Sequence, residues 1–251
     1  MIPRRDQPRR SVLPGFGYGT YYGGDNRKEK PMHRTRSACF ALVIAIAFAC
    51  LPPASAAAPL CAAVPPPEPA AYAAHIREVN RALGIPPDYA ARHDLRLQPE
   101  ARDLVPVPRD VYGRKVEMVA PAAAALKRMF AAAARDGIKL ETVSGFRSVA
   151  YQTHLVRLKL KRGMSIEQAL KINAVPGYSE HQTGCAIDLT TPGVPAADGS
   201  FANSRAFTWL QQHGASYGFS LSFPPGNPYG YEYEPWHWRY TAGTATAANP
   251  R

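Results

Sequence analysis

The segment Ser179-Glu180-His181-Gln182-Thr183-Gly184-Cys185-Ala186-Ile187-Asp188 carries an imidazole and a carboxylate that a short fold-back can bring together. Read as a strand through 185–189, it sends Cys185, Ile187 and Leu189 to an apolar face and Ala186 and Asp188 to the other. Asp188 then points into an open face beside a side chain too small to block it. Gly184 permits a tight entry to the strand, so His181 can turn back toward the Asp188 carboxylate. Further along, Glu234-Pro235-Trp236-His237-Trp238-Arg239-Tyr240 offers a third group, a strand there placing His237 on one face and Trp236 and Trp238 on the other. Pro235 has no N–H for a ladder, which leaves Glu234 outside the regular strand and free to turn.

Two histidines and one aspartate leave a fourth zinc position for water, the arrangement of a catalytic rather than a structural site. Such a water has its pKa lowered to ~7, and a carboxylate beside it that is not a ligand can take its proton. Glu234 is the candidate for that general base. A histidine followed by an aspartate seven residues later is common, however, and a Trp-His-Trp strand suits a core as well as an active site. Spacing alone is compatible with both a metal site and ordinary packing.

The elements that must position these groups follow from periodicity. Residues 71–83 read as a helix ended by Gly84 and stopped by Pro86-Pro87, and 85–115 as irregular. Residues 116–135 read as one Ala-rich helix with Met118, Ala122, Leu126, Met129 and Phe130 at roughly helical spacing, closed by Asp136-Gly137. A strand over 138–144 precedes helices over 150–161 and 165–172, the second opened by Ser165 with Gln168 three residues on. A strand over 186–190, a helix over 205–217 and strands over 219–223 and 236–240 complete the pattern. There is no regular βαβ alternation and no internal repeat, so the expected class is α+β, a small antiparallel sheet with helices packed on one side.

A chain of 251 residues supports one sizeable domain. Its formal charge of +11 is unevenly spread: residues 1–36 carry nine Lys/Arg against three Asp/Glu, residues 37–56 carry no charge, and 57–251 keep +5. That remainder is mildly basic, suited to an anionic cell wall, and shows no Lys/Arg cluster interleaved with aromatics that would indicate nucleic acid. From Met32 the chain has the basic head, short apolar centre and small-residue exit of a signal peptide, with cleavage expected after Ala56. The apolar centre is shorter than the ~20 residues of a membrane helix.

The expected organisation is a non-structural extension over 1–31 upstream of a usable start at Met32, a signal peptide over 32–56, an Ala/Pro-rich linker over 57–70, a catalytic domain over 71–243 and a tail over 244–251. Cys39 and Cys50 leave with the signal. Cys61 and Cys185 are able to pair in an oxidising compartment, but one sits in the linker and the other in a strand, so two separate thiols are expected, Cys185 as a small buried residue.

These motifs resemble the VanY-type D-alanyl-D-alanine carboxypeptidases and the related LdcB-type L,D-carboxypeptidases, within a group of zinc peptidases that includes VanX and the Hedgehog N-terminal-type domain. Three blocks match in order: Ser144-Gly145-Phe146-Arg147-Ser148 with Gln152, the Ser179 to Asp188 segment, and Glu234-Pro235-Trp236-His237. The likeness runs over about residues 83–240 and takes in Pro87-Asp88-Tyr89 and Asp103-Leu104-Val105-Pro106.

The resemblance implies a Hedgehog/DD-peptidase-like fold, zinc held by His181, Asp188 and His237, and Glu234 as catalytic base. It implies Arg147 as the group stabilising a developing oxyanion or a substrate carboxylate, Gln152 and Ser179 as pocket lining, and Trp236 as an aromatic wall. Cys185 departs from the usual aliphatic residue, without expected catalytic consequence. His154, His213, Glu180 and Glu232 read as ordinary polar positions, the two glutamates solvated. Tyr229, Tyr231 and Tyr233 alternate before Glu234 and could form a substrate rim, with at least two of them expected as surface turn or edge packing.

The implied activity is zinc-dependent removal of the terminal D-amino acid from peptidoglycan stem peptides, by an exported monomer of the periplasm or cell envelope with no stable membrane span after signal cleavage. The alternatives are a catalytically silent wall-binding module and an endopeptidase of the same family.

Overall fold

The computed structural model describes residues 61–62 and 69–241. The N-terminal extension, the signal peptide, most of the linker and the tail lie outside the described residues. The first helix, α1 (Ala70–Ala82), buries Ile76 and ends one residue before Leu83, with Gly84 at φ 75° beyond it. A short helix, α2 (Tyr89–Arg92), follows. Strands β1 (Leu104–Val107) and β2 (Val116–Val119) then form a two-stranded antiparallel sheet.

Here the structure departs from the sequence reading twice. Residues 85–115 contain α2 and β1, Pro106 being accommodated because β1 has only β2 as a neighbour. Residues 116–119 are a strand rather than the first turn of a helix. Pro121 explains this, because proline is tolerated in a helix's first turn and not in its interior, and helix α3 (Ala120–Arg135) begins one residue before it. Ala122, Ala125, Leu126, Met129, Ala132 and Ala133 form the buried stripe of α3.

Strand β3 (Glu141–Ser144) leads into helix α4 (Val149–Lys161), capped by the Ser148 side chain, which accepts from the Tyr151 N–H. Helix α5 (Ile166–Lys171) opens with the expected Ser165–Gln168 capping box. Strand β4 (Ala186–Thr190) is buried along its whole length. Helix α6 (Arg205–His213) continues as a 3-10 turn over Gly214–Tyr217. Gly214 lies so close to Trp238 that an added Cβ would meet its ring at 3.0 Å.

Strands β5 (Phe219–Leu221) and β6 (His237–Tyr240) complete a four-stranded antiparallel sheet in the order β3-β4-β6-β5. The main core joins the buried stripe of α3 to Cys185, Ile187 and Leu189, to Phe207 and Leu210 of α6, and to Trp238. A second cluster joins Leu83, Ile85 and Tyr89 to Val156 of α4, Leu170 of α5 and Val175. The α+β expectation holds, and no described helix is long and apolar enough to cross a membrane.

The expectation of two separate thiols does not hold, although Cys185 is buried as expected. Cys61 and Cys185 form a disulfide, with Cα atoms 5.6 Å apart and both residues fully buried in the main core. Residue type alone could not place Cys61, because only the folded sheet brings the linker past the start of β4.

Candidate metal centre

Strand register builds the site. Asp188 of β4 lies directly opposite His237 of β6 and is also paired with Ser144 of β3. Gly145, immediately after β3, supplies a carbonyl 2.7 Å from His181 Nδ1. A Cβ at Gly145 would meet the Glu117 carbonyl at 2.6 Å and Val116 Cγ1 at 2.7 Å, so only glycine allows this approach. His181 sits in a 3-10 turn, Glu180–Thr183, which Gly184 ends in the left-handed conformation at φ 67°. That is the fold-back the sequence predicts.

The ligand atoms of His181, Asp188 and His237 lie within 4.8 Å of one another, and all three residues are buried. Hydrogen-bond chemistry fixes how the rings are presented. A carbonyl only accepts, so His181 Nδ1 carries the proton, and Nε2 turns its lone pair toward Asp188 Oδ1 at 3.2 Å without a hydrogen bond. His237 Nε2 lies 2.9 Å from a carboxylate oxygen of Glu180 and donates to it, and Nδ1 lies 3.1 Å from the same Asp188 Oδ1.

Two imidazole nitrogens therefore face one carboxylate oxygen in a buried space, a donor set that a cation satisfies. In the metal-free protein a proton takes that part at His237. Burial opposes charging the ring, but hydrogen bonds to Asp188 and Glu180 outweigh it and push its pKa up to about 10. His181 goes the other way, to about 4, through burial and then the Arg147 charge. Asp188 stays ionised well below the ordinary carboxylate range: burial opposes this, but His181, His237 and Arg147 together prevail. The residues fit zinc: two neutral nitrogens, one carboxylate oxygen and an open side.

Arg147 and Glu234 border the same cleft, with Ser179, Asn173, Ala174, Phe223 and Tyr231. Arg147 Nη2 donates to Asp188 Oδ2 at 2.9 Å, and its Nε is buried without a partner. Glu234 lies outside β6 as expected, its carboxylate 3.9 Å from His237 Nδ1. Burial pushes the Glu234 carboxyl up to about 7, against the His237 charge and with the help of Asp188.

Two residues assigned to the pocket are not in this wall. Gln152 is fully buried and donates to the Ala174 carbonyl at 2.8 Å, behind the cleft. Trp236 is half-buried against the main core. Of the three tyrosines, Tyr231 lines the cleft and Tyr233 packs on Phe207. Glu232 is exposed, as expected.

Glu180 is the functional position that the sequence reading missed. Instead of being solvated it bridges His237, Arg239 and Ser222, and this pairing holds its carboxyl far below the usual range against the opposing effect of burial. The available signal was Arg239, a cation on the same strand face as His237 that needs an anion.

Comparison with known proteins adds a family to this geometry. YodJ of Bacillus subtilis (strain 168) is 39% identical over 132 residues, 49% of this chain and 46% of YodJ. A D-alanyl-D-alanine carboxypeptidase of Enterococcus faecalis is 31% identical over 125 residues, 46% of this chain and 45% of that protein. The chain thus spans about half the length of these curated relatives. The solved structure of the LdcB LD-carboxypeptidase superposes with a TM-score of 0.53 at 34% identity, covering 58% of this chain and 72% of that one. The family model described as "VanY: D-alanyl-D-alanine carboxypeptidase" matches residues 115–243, more than half of the chain and all of the site, and the chain belongs to that family.

Proposed function

We propose that this protein is a zinc-dependent carboxypeptidase that removes the terminal D-amino acid from peptidoglycan stem peptides. The observation that carries the reading is the convergence of His181 Nε2, His237 Nδ1 and Asp188 Oδ1, with a carboxylate of raised pKa at its edge. Zinc, when bound there, supplies a Lewis acid that acidifies water and polarises the scissile carbonyl. Glu234 accepts the proton of the attacking water and returns it to the leaving amine, a task suited to a carboxyl near neutrality. Arg147, anchored through one nitrogen to Asp188, turns the rest of its guanidinium to the developing oxyanion or to the substrate's terminal carboxylate. Asn173, Ser179 and Tyr231 border the space that the substrate enters.

The family and the Enterococcus relative favour D,D cleavage, and the likeness to LdcB favours L,D cleavage. Residence outside the cytoplasm, in the periplasm or envelope, is supported by the signal-like sequence at 32–56 and by a disulfide of the kind that persists in oxidising compartments.

The test is incubation of the zinc-loaded protein with tri-, tetra- and pentapeptide muropeptides and mass analysis of products. Conversion of pentapeptide to tetrapeptide marks D,D activity, and conversion of tetrapeptide to tripeptide marks L,D activity. Zinc binding without turnover of any of the three would leave a silent wall-binding module as the reading.

A further inference from the structure

We propose that Glu180 is the positioning residue of the metal centre, which fixes the tautomer and orientation of His237 so that Nδ1 is the ligand atom. The inference rests on the metal reading above and assigns a role to a residue outside the ligand set. Imidazole has two nitrogens, and in the neutral ring only one carries a lone pair. Glu180 is the group that makes the choice. Its Oε2 lies 2.9 Å from His237 Nε2, and a carboxylate paired with Arg239 accepts without donating, so Nε2 keeps its hydrogen, and when a cation takes the place of the proton between the ring and Asp188 it is Nδ1 that supplies the lone pair. Nδ1 is the nitrogen that faces Asp188 Oδ1 at 3.1 Å.

The glutamate is itself held rigidly. Arg239 Nη1 donates to Oε1 at 2.8 Å, and the Ser222 hydroxyl donates to Oε2 at 2.6 Å. Arg239 also donates from Nη2 to the Ala62 carbonyl at 3.1 Å, next to the buried Cys61–Cys185 disulfide. The brace therefore runs from a cross-linked point of the core through Arg239 and Glu180 to the outer nitrogen of a ligand ring. Phe223 closes the remaining side, its ring 4.7 Å from that of His237. Such carboxylate–histidine partners orient metal-bound rings, and their loss weakens metal binding by about 10- to 100-fold.

Glu180→Gln keeps the size of the side chain but cannot satisfy all partners. If its oxygen takes the place of Oε1 and accepts from Arg239, its NH2 takes the place of Oε2, faces the Ser222 hydroxyl and His237 Nε2, and favours the tautomer with Nδ1 protonated. Zinc affinity, measured by competition with a chromophoric chelator, should fall by about 10- to 100-fold in Glu180→Gln and Glu180→Ala. Ser222→Ala, which leaves the Glu180–His237 bond in place, should stay within about threefold of the parent.

On the unaltered zinc-loaded protein, long-range 1H–15N correlations should show His237 Nε2 protonated and Nδ1 bound, a readout that needs no variant to fold. Zinc coordination through Nε2, or an affinity of Glu180→Gln within about twofold of the parent, overturns the proposal. Failure of the parent itself to bind zinc would instead overturn the underlying metal reading.

Discussion

The raised pKa of Glu234 has a consequence for stability that is independent of catalysis. Burial moves the carboxyl from 4.5 to about 7 in the metal-free protein. A raised folded-state pKa means that the unfolded chain releases its proton first as pH rises, so the folded state loses relative stability between the two values. Below the unfolded value both states are protonated and Glu234 costs nothing. Above the folded value both are ionised, and the full cost of a charge beside Asp188 in a buried wall applies. With one pKa unit worth about 1.36 kcal/mol, the ceiling is about 3.4 kcal/mol, of which about 2.5 kcal/mol develops between about pH 5 and about pH 8. The side chain is only 18% exposed, so solvent screening removes little of it.

Glu234→Gln removes this titration while keeping the shape. Urea unfolding of the metal-free parent and variant, at about pH 5 and about pH 8, should show the variant gaining stability over the parent by about 2.5 kcal/mol between the two conditions. Saturating zinc should shrink that difference, because a dication beside Glu234 favours its ionised form. A difference between variant and parent that does not change with pH would refute the reasoning, and with it the case for Glu234 as a base tuned by burial.

Four further outcomes are expected. Replacing His181, Asp188 or His237 by Ala should abolish stoichiometric zinc, read by metal analysis of each purified variant, and full occupancy in two of the three would show the ligand set to be wrong. Glu234→Ala should retain zinc while losing on the order of 10²–10⁴ in turnover. Arg147→Ala should lose mainly turnover if it acts on the oxyanion and mainly raise KM if it holds the substrate carboxylate, measured with one muropeptide at fixed zinc. Cys61→Ser should lower unfolding stability by about 2–4 kcal/mol, because the bridge closes a loop spanning a sequence separation of 124, and an unchanged urea midpoint would show that the disulfide does not constrain the unfolded chain.

How much was legible in the sequence differs by level. Side-chain alternation is a local property of a strand, and the two strand readings put Asp188 and His237 each on one face of its own strand, while their opposition comes from the pairing of β4 with β6. The Gly184 fold-back and the Ser165–Gln168 capping box also depend on neighbours in sequence, and both were read correctly. The strand at 116–119 was hidden because Val-Glu-Met-Val runs straight into a strong helical stripe, and Pro121 was the overlooked marker of the boundary. Cys61 and Glu180 were misread for a different reason. Their partners, Cys185 for one and Arg239, Ser222 and His237 for the other, are distant in sequence and meet only when β4, β5 and β6 assemble.

The charges gathered by that assembly bear on which substrate the site prefers. Asp188, Glu180 and Glu234 bring three negative charges, and Arg147 and Arg239 two positive ones. With neutral histidines and a bound dication, the cluster carries a net formal charge of +1 in a largely buried setting. A peptide ending in a free carboxylate neutralises it, whereas an internal peptide bond presents no charge and leaves it uncompensated. On the proposed reading, Arg147, which borders the cleft, is a group that such a carboxylate can meet. On the carboxypeptidase reading proposed above, this balance suits exopeptidase rather than endopeptidase action. Amidation of the terminal carboxylate of a muropeptide should therefore lower kcat/KM by about 10- to 100-fold, the equivalent of about 1.4–2.7 kcal/mol and of the size of one hydrogen bond to a charged group, and equal turnover of the free and amidated peptides would show that the site does not read the terminal carboxylate and would refute this charge argument.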